Sequence, residues 1–113
     1  MAVITFSSKR NYQVAKIGDI KTVSMGNQIF VAGFPLPSHA VPMSFLRFLE
    51  GKVIANARVG IPDGYQLLYS NPTLKGMSGG CVLDKRGTLV GIHGRAEQDL
   101  SLIHISEPTR PNT

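Results

Sequence analysis

The chain has a single cysteine, Cys81, so an internal disulfide is excluded and its thiol content says little about compartment. No apolar run approaches the roughly 18–20 residues that cross a membrane as a helix. The opening MAVITFSSKR lacks a basic segment followed by a long apolar core, so it does not read as a secretory signal. Internal repeats and low-complexity segments are also absent. The 12 cations outnumber the 7 anions, for a net charge of +5. Nucleic acid or a membrane surface would need those cations clustered. Instead Lys16, Lys21, Arg47, Lys52, Arg58 and Lys75 stand singly, and only Lys9–Arg10 and Lys85–Arg86 are paired. Phe30, Phe34, Phe45, Phe48, Tyr65 and Tyr69 fall within apolar runs rather than beside the cations. The excess charge therefore reads as solvated surface, and neither a nucleic acid nor a membrane partner is expected.

What remains is an ordinary globular composition: 113 residues, 42% hydrophobic, mean hydropathy +0.05. That suits one small domain or a piece of a larger one. Turn signals punctuate it at SMGNQ (24–28), PLPSHAVP (35–42), PDG (62–64), SNP (70–72) and DKRG (84–87). The short apolar or alternating runs between them predict strands at 3–6, 28–34, 51–59, 65–70, 80–84 and 88–94. MSFLRFLE (43–50) fits a strand or a single helical turn equally. The spacing is that of an all-β barrel or sandwich.

The end of the chain, LSLIHISEPTRPNT, does not continue this pattern. LSLIHISEPTR resembles one reading frame of a transposase-type sequencing adapter. Residues 100–113 are therefore set aside as a non-native tail, His104 among them. Glu107 and Arg110 cancel, so the net charge is unchanged.

The stretch LKGMSGGCVLDKRGTLVGIHG (74–94) is the part able to do chemistry. Three readings compete for Ser78. One is a glycine turn in which the serine bonds its own backbone. Gly76–Gly80 also satisfy the G-x-S-x-G elbow of α/β-hydrolases. That motif needs a helix after it and an acid and histidine downstream, whereas a β-hairpin follows here. The third reading is a serine nucleophile on a tight glycine loop before a hairpin, with the amides of Gly76 and Ser78 converging on an oxyanion.

GMSGGCVLDKRGTLVGIHGRAE resembles the nucleophile region of bacterial trypsin-like peptidases, and YQVAKIGD, VAGFPLP and DGYQLLYSNPTLKGMSGG are similar to one branch of that family. The resemblance spans nearly all of residues 1–97. It implies an all-β, incomplete trypsin-like Greek-key double barrel, mostly the second barrel. Residues 1–20 would end the first barrel and connect the two, and 21–99 would form the truncated second. It implies Ser78 as catalytic nucleophile and Gly76 and Ser78 as the oxyanion hole. Thr73 and His93 would line the primary specificity pocket, at the spacing found in glutamyl endopeptidases, which favours acidic residues before the scissile bond. Gly94, Arg95 and Ala96 would form the edge on which a substrate backbone lies. The alternative for His93 is a strand-end histidine satisfied by backbone. No cofactor and no metal are implied, and the partners are a peptide or protein substrate and the missing first barrel.

The departures from the family pattern matter. Cys81 replaces a rigidifying proline. Met77 replaces the aspartate that receives a freed N-terminus in trypsin, so that activation route is unavailable. Pro72 stands where trypsin carries its Lys/Arg-selecting aspartate. The triad histidine and aspartate lie upstream in the family, and MAVITF resembles the segment just after that aspartate. His39 reads as a loop residue. The expectation is a fragment of a serine endopeptidase without its base, inactive, with an open barrel edge that invites aggregation. The alternative is a dead homologue that binds peptides by strand addition. Many relatives of such a parent are periplasmic or secreted.

Overall fold

The computed structural model describes residues 3–57, 64–96 and, as backbone, 101–104. Six strands, β1 (Gln28–Gly33), β2 (Arg47–Asn56), β3 (Tyr65–Tyr69), β4 (Cys81–Asp84), β5 (Leu89–Ala96) and β6 (Ser101–His104), form one antiparallel sheet. It closes on itself in the order β1-β2-β3-β6-β5-β4, with β1 pairing β4 to complete the barrel. Such closure gives each strand two neighbours, although the β4–β5 ladder stops at Cys81 opposite Ile92, short of the end of β5.

Strand alternation builds the interior. In β1, Ile29 and Val31 are fully buried while Gln28 and Phe30 are only partly covered. Val53, Leu67, Tyr69, Val82 and Val90 meet them from the other strands, and Val23 and Met77 plug the assembly from loops. Phe30 and Phe48 stack outside the barrel with centroids 5.0 Å apart. The DKRG hairpin forms as expected. Gly87 takes φ 80°, and the Asp84 carboxylate accepts from the amides of Arg86 (2.8 Å) and Thr88 (2.9 Å).

Two expectations change. The run at 3–6 is not a strand among the described residues; Val3, Ile4 and Phe6 are 78%, 85% and 73% exposed. An apolar run becomes a strand only when a neighbour takes its amides and carbonyls, and none does here. The expected open edge is also absent. β6, from the stretch set aside as a tail, bonds β3 on one side and β5 on the other. The alternating segment SLIH gives both edges the ladder partners they would otherwise lack. MSFLRFLE resolves into an irregular 43–46 followed by the start of β2. A 3-10 turn at Ile20–Thr22, capped by the Asp19 side chain, was not legible in advance. The expected strand end at 58–59, most of PDG, Arg58, and the tail beyond His104 lie outside the described residues.

The connection before β1 docks where it meets the barrel. Leu89 donates to Lys16 O (2.8 Å), Gly18 donates to Leu89 O (2.7 Å), and Asn56 Nδ2 donates to the carbonyls of Ile20 and Val23.

Candidate active site

The loop between β3 and β4 carries Ser78, and its anchors begin at Asn71. That side chain is buried, and Nδ2 donates to Leu49 O (2.7 Å) and Ile29 O (3.1 Å), bridging β2 and β1. Further on, Leu36 donates to Lys75 O (2.8 Å), tying the loop to the proline-rich segment after β1. Met77 lies fully buried against Gly33. A carboxylate there would have entered the apolar core, so the methionine makes the turn a packing element.

The rest of the loop is held by backbone. Met77 N donates to Leu74 O (3.2 Å), Gly79 N to His93 O (2.8 Å) and Gly80 N to Met77 O (3.0 Å), while His93 N returns a bond to Gly80 O (2.8 Å). Gly76 and Gly79 have φ of 98° and 91°, a region that L side chains rarely adopt. Gly80 is required by space: a Cβ would come within 2.1 Å of Ala32 O. The amides of Gly76 and Ser78 take no part in these backbone bonds among the described residues.

Ser78 is exposed, and neither His39 nor His93 hydrogen-bonds to it. His39 lies exposed in its proline loop. A cavity of about 390 Å³ gathers Thr73, Lys75, Gly76, Ser78, His93 and Arg95. Of the residues expected at the site, it therefore unites five; Gly94 and Ala96 continue along β5 outside its lining. β4 ends opposite Ile92, the Ser78 loop bonds the next residue, and β6 takes the far edge at Arg95 and Ala96. A second cavity, of about 430 Å³, lies between Thr22–Ile29 and Asp84–Arg86 and contains none of the expected site residues.

His93 is 3% exposed, and its Nδ1 hydrogen-bonds to the Tyr69 hydroxyl. Burial lowers the imidazole pKa below the ordinary 6.5. Burial first, and the neighbouring Tyr65 second, push the Tyr69 phenol far above its usual range. Both side chains are thus neutral at pH 7. Arg95 places its guanidinium 4.6 Å above the Tyr65 ring. Tyr69 is the site residue that sequence reasoning missed. It falls within an apolar run and packs in the core, but it meets His93 across the barrel with β6 intervening, so no local spacing announces the contact.

Comparison with known proteins now bears on this geometry. The profile of the trypsin-like peptidase domain matches residues 1–92. The chain belongs to the trypsin-like peptidase family. A search of curated proteins found no match. Among solved structures, the fold is similar to the HtrA-type protease AlgW with a decapeptide, with a TM-score of 0.68, 18% identity, and coverage of 85% of this chain and 30% of that one. The same protease with a tripeptide gives 0.68 and 16%, over 89% and 35%. This trypsin-like chain thus spans about a third of the length of either structure.

Proposed function

We propose that this chain is the second-barrel part of a serine endopeptidase that cleaves peptide bonds through an acyl-enzyme on Ser78. The observation that carries the reading is the division of labour among the loop amides. Those of Met77, Gly79 and Gly80 are consumed in holding the loop, and among the described residues those of Gly76 and Ser78 are left over, one at the nucleophile itself and one two residues before it. Two such donors stabilise a tetrahedral oxyanion by a few kcal/mol each. Residues 1–20 are the end of the first barrel and the inter-barrel connection, and the triad histidine and aspartate belong to the first barrel of the parent. Without a base the serine hydroxyl is a poor nucleophile, so the 113-residue chain is inactive by itself.

The pocket beside Ser78 takes the side chain before the scissile bond. Thr73 and His93 offer hydrogen-bond donors, and Lys75 and Arg95 add positive charge, which supports acceptance of acidic side chains. The substrate backbone adds as a strand along Gly94–Ala96, beyond the point where the β4–β5 ladder stops. The solved HtrA-type relatives carry peptides, in keeping with this use of the fold. A second reading, a peptide-binding homologue that has lost catalysis, draws on the absence of a histidine bonded to Ser78.

Sequencing the source DNA upstream of Met1 separates the two. An aspartate codon immediately before Met1, with a histidine some tens of codons earlier, is the expected result. A stop codon and a ribosome-binding site at that point would instead favour the non-catalytic reading.

A further inference from the structure

Tyr69 contributes a fully buried hydroxyl to the barrel interior. A buried O–H needs an acceptor, and leaving it without one costs about 1–3 kcal/mol. Among the described residues its partner is Nδ1 of His93. If Nδ1 carried the proton, the phenol hydrogen would have nowhere to go, because the ring nitrogen would donate as well. The proton of the neutral ring therefore sits on Nε2. Protonation of the whole ring is opposed for the same reason, and burial opposes it further. With Nδ1 engaged, Nε2–H is the donor that His93 has to offer the cavity it shares with Ser78 and Thr73.

We propose that Tyr69 is a specificity-determining positioning residue: it fixes His93 as a neutral Nε2–H donor, so that the pocket reads the terminal carbonyl oxygen of a side chain, whether acid or amide. The inference rests on the peptidase reading of that pocket. A neutral donor bonds a glutamate oxygen and a glutamine oxygen alike. Discrimination in favour of the acid falls to Lys75, on the rim, and to Arg95, which is stacked over Tyr65. Among the described residues, Tyr69 from β3 bonds the imidazole, Tyr65 from the same strand lies against Gly94, and Lys75 from the loop and Arg95 on β5 line the cavity that His93 shares; none of these is a carboxylate that would favour imidazolium.

The test is the tautomer itself. Long-range 1H–15N spectra of the 113-residue chain, assigned with His93→Gln, would be followed from about pH 8 to about pH 5. The expected result is a protonated Nε2 and an unprotonated Nδ1 throughout. Tyr69→Phe keeps the ring that fills the core and removes only the hydroxyl. It is expected to admit the second tautomer or, at the acid end, the imidazolium. A protonated Nδ1 in the unaltered chain, or an unchanged spectrum in Tyr69→Phe, overturns the role of Tyr69. The same samples would be titrated with two N-acetyl peptides that differ only in Glu or Gln at the pocket position. Their affinities are expected to lie within about tenfold of each other in the unaltered chain, since charge-assisted bonds are roughly twice as strong as neutral ones. A far larger gap overturns the specificity claim. Binding of neither peptide, with the tautomer as expected, overturns the pocket reading and the specificity role with it, but leaves the Tyr69–His93 geometry standing.

Discussion

The barrel interior and the segments around it treat hydrophobic residues in opposite ways. Ile29, Val31, Leu67 and Val82 are fully enclosed, whereas Ile4, Phe6 and Val14 before the barrel are 85%, 73% and 87% exposed. Phe34, Leu36, Met43, Phe45 and Leu46, between β1 and β2, are also largely open. Both sets have the composition of a core. What separates them is a partner: the barrel strands satisfy one another's backbones, whereas among the described residues the outer set stays largely open, Phe6 meeting the Tyr12 ring edge-on. Apolar surface of that extent marks an interaction face. Under the proposed function, its natural cover is the first barrel of the parent.

Substitutions can break or sharpen this contrast. The largest effect is expected from Met77→Asp, which buries an unpaired charge beside Gly33. The chain should fail to give a cooperative melt, while the volume-conserving Met77→Leu should cost less than about 1.5 kcal/mol. Ile29→Ala should lower the unfolding free energy in urea by about 2–5 kcal/mol through the cavity it leaves. The chemically similar Ile4→Ala should stay within about 0.5 kcal/mol of the unaltered chain, because nothing covers that side chain. Comparable losses at the two isoleucines would show that 3–16 packs somewhere after all.

The contrast also marks what the sequence could and could not disclose. β1, β3, β4 and β5 were legible because each is bounded by turn residues and alternates against a buried face. The tight loop around Ser78 was legible because glycines at such spacing are imposed by backbone geometry, φ of 98° at Gly76 and the Ala32 carbonyl at Gly80. The run at 3–6 misled, since strand pattern is local but strand pairing is not. β6 was passed over because its residues were judged by origin, whereas the ladder asks only for an extended backbone. Tyr69 stayed hidden because its polar contact is made inside the barrel, with a residue 24 positions away.

Two smaller effects follow from individual groups. Asp84→Ala removes the acceptor for two turn amides and should cost about 1 kcal/mol, read as a shift in urea midpoint with unchanged slope. The buried His93 gives stability a pH dependence of known sign. Its folded pKa lies below the unfolded 6.5, so the unfolded chain binds the proton more readily. Stability is full above pH 6.5 and should fall as the pH drops from there through the folded value. His93→Gln should flatten that stretch of the profile.

The central claim is that Ser78 is a nucleophile separated from its base. A fluorophosphonate probe, which labels only activated serines, tests it on two proteins: this chain and the product of the full reading frame recovered from the source DNA. The expected outcome is no adduct on the 113-residue chain and a single adduct on the longer protein, mapped by mass spectrometry to Ser78 and lost in Ser78→Ala. A longer protein that carries an upstream histidine and aspartate yet takes no adduct at Ser78 would contradict the account.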